Sequence, residues 1–113
     1  MKIIGERLTM TELRQMAADR FGDLVKAVVD VDKALLAVDA ELHSDLEALL
    51  LENGSRQKDL WGINLYPELQ GEGFIEFDSM INVRPSQGNR SRGVEKEEVR
   101  NKISEIVGRK VRP

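Results

Sequence analysis

The sequence predicts a single α+β domain over residues 1–113, a mainly antiparallel four-stranded sheet with helices packed on one face, in the order α-β-β-α-β-β-α. Three observations lead there. Three segments, near the start, the middle and the end of the chain, place their apolar residues at helical spacing. Between them lie two pairs of segments in which apolar residues alternate, and short connections within each pair favour antiparallel neighbours. A chain of 113 residues also suits one core, because it buries roughly two-thirds of its unfolded surface.

Each element has its own grounds. Lys2 to Ile4 can form a short edge strand or an arm. The first helix starts at Thr9, the N-cap of a capping box with Glu12, stapled by Leu8 and Leu13. Leu13, Met16, Ala17 and Phe21 form its apolar face, and Gly22 stops it. In LVKAVVDVDKALLAV, Val25, Ala27, Val29 and Val31 alternate with Lys26 and Asp30, which predicts two strands joined near Asp30 to Lys33 by a turn without glycine. ELHSDLEALLLENG reads as a helix with Leu42, Leu46, Leu49 and Leu50 in one stripe, a Ser44–Glu47 capping box and a stop at Asn53-Gly54. Its competitor is a strand at Ala48 to Leu51 turning at the same dipeptide. LWGINLYP alternates Trp61, Ile63 and Leu65 on one side, with Gly62 marking a bulge or a close backbone approach and Pro67 ending the strand. GEGFIEFDSMINVRP supplies its partner, with Ile75, Phe77, Ile81 and Val83 inward and Glu76, Asp78, Asn82 and Arg84 outward. The last helix turns Val99, Ile103, Ile106, Val107 and Val111 to the core, with Glu95, Glu97 and Glu98 at its start and Arg109 and Lys110 at its end.

Composition removes several classes of function. The chain has no cysteine, which excludes disulfides, thiolate catalysis and Cys-ligated metals. A net charge of −3 gives no general attraction to nucleic acid or anionic lipid, so any polyanion must meet a local patch. No apolar run has the length of a signal peptide or of a ~20-residue membrane span, and a cytoplasmic protein without a membrane partner is expected.

Three clusters carry possible chemistry. The loop INVRPSQGNRSRG holds Arg84, Arg90 and Arg92 without an acid among them. Guanidinium groups bind phosphate or carboxylate in bidentate fashion, and Asn82, Ser86, Gln87, Asn89 and Ser91 add neutral donors beside Gly88. The spacing matches no phosphate-binding loop or dinucleotide fingerprint, so no cofactor is implied. The opposing interpretation is a solvated turn in which Ser91 caps the last helix and the arginines pair with nearby carboxylates. Second is His43, the single histidine, with Asp45 and Glu47 as carboxylates that could orient it for catalysis; one histidine without an HEXXH pattern implies no metal site. Third are Glu76 and Asp78, about 7 Å apart along one strand face, a spacing also common on solvated sheets. Trp61 and Tyr66 are the aromatics nearest the loop, Trp61 on the core side and Tyr66 the better exposed.

The motif order FGDLVKAVVDVDKALLAV, ELHSDLEALLLENGSRQKDLWGINLYPE and FIEFDSMINVRPSQGNRSRGVEKEEVR resembles a family of small prokaryotic proteins known only as a domain of unknown function. LWGINLYP and INVRPSQGNRS are its specific parts, and relatives often carry Gly-Gly where Asp39-Ala40 lies here. The resemblance implies a stand-alone cytoplasmic protein and transfers no catalytic residue. Three functions follow from the residues: a binding module whose Arg loop holds an anionic group of a nucleotide, an RNA or an acidic protein surface; a small phosphate-ester hydrolase or nuclease using His43; or a structural protein that forms a homodimer through its leucine-rich segment or an open sheet edge.

Overall fold

The computed structural model describes residues 1–113 throughout. Its first helix opens as the sequence requires. The Thr9 hydroxyl accepts the Glu12 amide at 3.1 Å and the Glu12 carboxylate accepts the Thr9 amide at 3.0 Å. Leu8 and Leu13 are fully buried beside this box, which fixes the angle at which α1 (Met10–Asp19) leaves strand β2 (Leu8–Thr9). The chain turns at Gly22, whose φ of 93° suits glycine. Phe21 falls beyond the helix end, is 42% exposed and takes no part in the apolar face assigned to it.

Strands β3 (Val25–Asp30) and β4 (Leu35–Val38) form the expected hairpin. Its turn manages without glycine because the Asp30 carboxylate accepts the amides of Asp32 and Lys33, both at 2.9 Å, and Ala34 takes a left-handed φ of 55°. β1 (Lys2–Ile4) is an edge strand on β4, β5 (Leu60–Leu65) pairs with the other edge of β3, and β6 (Ile75–Glu76) pairs with β5. Every pairing within this sheet is antiparallel, and the order β1-β4-β3-β5-β6 makes a sheet of five strands where four were expected. The expected order of elements survives inside a longer one, β1-β2-α1-β3-β4, a second helix α2 (His43–Glu52), β5-β6, a third helix α3 (Glu97–Lys110) and a last strand β7 (Val111–Arg112). Val111, expected on the last helix, begins β7 (Val111–Arg112), which pairs in parallel with β2.

Helices cover both faces of the sheet, not one. α1 and α3 (Glu97–Lys110) pack on Val25, Ala27, Val29, Leu36, Val38, Trp61, Ile63 and Leu65. α2 (His43–Glu52) lies on the opposite face, with Leu46 and Leu50 against Val28, Ala37 and Leu60. The alternation in sequence puts Lys26 and Asp30 on the side opposite Val25, Ala27 and Val29. Val28 and Ala37 belong to that second face, and Asp30 is buried there under the end of α2, where it also accepts the Ser55 hydroxyl. Segment 41–54 is thus a helix, and Gly54 with φ 94° follows its end. Leu42 is its N-cap and no side chain caps it, so the Ser44–Glu47 box does not form. Leu42 and Leu51 are 55% and 41% exposed. Asp39 takes a left-handed φ of 75°, which an aspartate tolerates better than most residues, and its carboxylate accepts Arg20 Nε at 2.8 Å.

The second hairpin is shorter than expected. β6 holds only Ile75 and Glu76, and the chain then tightens into a turn over Met80–Asn82. Ile81 consequently packs with the α2 face while Ile75 and Phe77 pack with the other. Gly62 explains the departure, since a Cβ there would stand 2.5 Å from Ser79 Cβ. The missing side chain lets residues 79–82 drop onto β5 where a strand would otherwise run alongside it. No helix is long and apolar enough to cross a membrane.

Candidate functional site

The Arg loop is organised first by its asparagines. Asn82 is fully buried; its Oδ1 accepts the Gly62 amide at 2.8 Å and its Nδ2 donates to Gly62 O and Arg92 O, both at 2.9 Å. Asn89, also buried, donates Nδ2 to the carbonyls of Asn82, Ser91 and Gly93 and accepts the Glu95 amide. The Glu95 carboxylate in turn accepts the amides of Arg90 and Ser91 at 2.8 Å, and these bonds hold its pKa below the usual carboxylate range. Arg84 stacks over Trp61, 4.0 Å from the ring centroid, and donates Nη1 to Gln57 O and Nη2 to Leu60 O, both at 2.6 Å. Burial pulls its pKa down from the ordinary value, and its Nε is buried without a partner. These bonds explain much of the loop's composition. β6 lines β5 only at Asn64 and Leu65; Asn82 and Arg84 serve Gly62 and Leu60 in its place.

The remaining loop residues divide. Ser86, Gln87 and Arg90 are exposed, and the Arg90 guanidinium has no partner in the chain. Ser91 does not cap α3, which begins only after Lys96; its hydroxyl accepts the Gly93 amide at 3.2 Å. Gln87, Gly88 and Asn89 line a groove of about 380 Å³ with Lys58, Asp59, Trp61 and Lys96. Arg92 points the other way: its Nε donates to Asp78 Oδ1 at 2.6 Å, and its two terminal nitrogens remain without a partner.

That direction leads to His43. Across three strands, Lys26 of β3 faces Asn64 of β5 and Asn64 faces Glu76 of β6. All three lie on the α2 side of the sheet, beyond the point where α2 stops covering it. His43, the first residue of α2, is 8% exposed, and its Nε2 lies 2.8 Å from Ile63 O. A carbonyl only accepts, so Nε2 carries the proton and in the neutral imidazole Nδ1 keeps its lone pair, with the Asn64 side chain beside the ring. Burial holds the imidazole pKa below its ordinary value. Asp45 and Glu47 make no bond to His43; the Ile63 carbonyl orients it instead. Glu76 accepts Asn64 Nδ2 at 2.9 Å and the Tyr66 hydroxyl at 3.0 Å, which ties Tyr66 to the sheet. The Asn64 amide turns Nδ2 towards Glu76 and the Asp78 carbonyl, and its Oδ1 is buried without a partner.

Lys26, Leu42, His43, Ser44, Ser79, Met80, Ile81 and Arg92 enclose a cleft of about 160 Å³ between the start of α2 and the turn after β6. His43 and one loop arginine therefore share a cavity, and Asp78 of the carboxylate pair stands at its edge through Arg92. Arg84, Asn82 and Asn89 do not join them. Lys26, Ser44, Ser79 and Asn64 escaped the sequence reading. The odd-even alternation of β3 did place Lys26 opposite the main core, but its meeting with α2 depends on strand register. A third groove of about 360 Å³, along α1 and α3, is lined by Met10, Leu69, Phe74, Val107 and Val111 without a charged side chain. No group of three or more His, Asp and Glu side chains converges in a manner suited to a metal.

Chemically, the cleft is lined by an ammonium, two free guanidinium nitrogens, two serine hydroxyls and a neutral imidazole. Cations predominate in it, and the uncapped first turn of α2 adds its positive end. Comparison with curated proteins gives no match, and neither does comparison with solved structures. The family described as protein of unknown function, DUF5674, matches residues 2–110, and the chain, with its LWGINLYP and INVRPSQGNRS stretches inside that span, belongs to this family.

Proposed function

We propose that the protein is a small binding module that holds an anionic, phosphate-bearing group in the cleft at the start of α2. One observation carries the reading: Lys26 and Arg92 converge on a cavity that also contains the buried His43. Neither cation has its charge fully matched in the chain, since Lys26 forms no ion pair, its ammonium lying 5.4 Å from the Phe21 ring centroid, and Arg92 commits only Nε to Asp78. The lining of the cleft carries two cations and no carboxylate, with Asp78 paired to Arg92 at its edge, in a molecule of net charge −3. Such a site recruits an anion locally, weakens with salt and gives little affinity for bulk DNA. Within the Arg loop the anion contact narrows to Arg92; Arg84 serves β5.

The test is an NMR titration of isotope-labelled protein with inorganic phosphate. Shifts at Lys26, His43, Ser44 and Arg92 are expected, with affinity falling about tenfold in Arg92→Ala, the order of a lost charge-assisted bond. Silence at those residues, or shifts confined to Gln87–Ser91, would overturn the reading. A hydrolase reading gains from the neutral Nδ1 of His43 in the same cavity, and inorganic phosphate released from a phosphate ester by the protein would favour it.

A further inference from the structure

The cleft's size and rim together restrict what the anion is attached to. Its volume of about 160 Å³ lies well below the several hundred Å³ that enclose a whole small ligand. Only a head group enters, and the remainder of the ligand rests on the rim. That rim is apolar. Six large hydrophobic side chains are exposed in the whole chain, and two of them, Leu42 at 55% and Met80 at 64%, border this one cleft. They come from different elements, the N-cap of α2 and the turn after β6, and Ile81 continues the surface from Met80 into the α2 core.

Resting on the anion-binding reading above, we infer that the ligand is a small phosphate monoester with an apolar body, its head group against Lys26 and Arg92 and its body across Leu42 and Met80. Phosphate suits the head group better than carboxylate because three terminal oxygens can engage the Lys26 ammonium, the Arg92 terminal nitrogens and the Ser44 hydroxyl at once. Methionine suits the body, since its unbranched thioether adapts to a varied apolar shape. A sugar or free nucleotide would set polar groups on this rim without partners, at a cost in affinity.

The experiment compares inorganic phosphate, phenyl phosphate, benzoate and ribose 5-phosphate by calorimetric titration of the wild-type chain and of Leu42→Ala/Met80→Ala, which removes apolar surface without giving α2 a capping side chain. Both positions are exposed, so the fold tolerates the change, and an unaltered far-ultraviolet circular dichroism spectrum verifies it. Phenyl phosphate is expected to bind about tenfold more tightly than inorganic phosphate, the gain from covering on the order of 60 Å² of apolar surface. In the double variant the ratio of the two affinities should fall towards one. Equal affinities in the wild-type chain, an unchanged ratio in the variant, or tighter binding of benzoate or ribose 5-phosphate would overturn the inference while leaving the anion site standing. If neither inorganic phosphate nor any of the esters binds, the anion site falls and this inference with it.

Discussion

His43 joins the start of α2 to β5 with its single N–H, and the consequence is a pH dependence of a definite sign. Burial lowers its pKa; the bond to Ile63 opposes that shift, Lys26 reinforces it, and the Asp78 carboxylate and the Asn64 side chain oppose it. The unfolded chain therefore takes up the proton more readily than the folded one. Stability is complete above the ordinary histidine value of about 6.5 and falls as pH drops below it, with a limiting slope of about 1.4 kcal/mol per pH unit for one proton. No other histidine exists to confuse the measurement. Glu12 and Glu95, lowered by their hydrogen bonds, lose their contribution only at more acidic pH, as each approaches its folded value. Urea unfolding between about pH 5 and 6.5 should show the decline in the wild-type chain and a flatter profile in His43→Gln, whose amide still donates to Ile63. Parallel profiles would remove His43 from the explanation.

Among the elements, β5 depends most on side chains borrowed from elsewhere. Asn82 meets both polar groups of Gly62, so Asn82→Ala leaves a buried N–H and a buried carbonyl without partners. A loss of about 3 kcal/mol in urea unfolding is expected, together with a greater tendency to aggregate once part of the β5 edge is bare. A loss below about 1 kcal/mol would mean that water or a shift of the 79–82 turn replaces the amide. The sequence made some of these elements plain and concealed others. α1 was legible because Thr9 and Glu12 cap it through local bonds, and the α2 segment because leucine, alanine and glutamate at helical spacing outweighed the turn signal at Asn53-Gly54. The strand expected through Phe77 to Val83 was not there, since alternation alone does not reveal that Gly62 admits Ser79 at close range. The Arg loop was legible as unusual composition, but its largest use lies in backbone groups of β5 that are distant in sequence. The His43 cleft depends on the register of β3, β5 and β6, which no single segment encodes.

For the whole molecule, the central fact is that β3 serves two cores at once. Val25, Ala27 and Val29 belong to the larger cluster under α1 and α3, while Val28 belongs to the smaller cluster under α2. Asp30 adds a polar link between the end of the strand and Ser55 beyond α2. A strand buried on both faces cannot release one core while keeping the other intact, so the two clusters should unfold together. Trp61 lies in the larger cluster and reports on it by fluorescence, whereas Leu46 lies in the smaller one on the opposite face. Leu46→Ala should therefore lower the urea midpoint of Trp61 fluorescence and that of the far-ultraviolet circular dichroism by the same amount. The loss should be about 2–3 kcal/mol, the lower part of the range for a buried leucine because the cluster is small. A fluorescence midpoint that stays in place while the dichroism shifts would mean that α2 and its core come away alone. The cleft at the start of α2 would then belong to a separately opening unit, and an anion bound there would stabilise that unit without protecting Trp61.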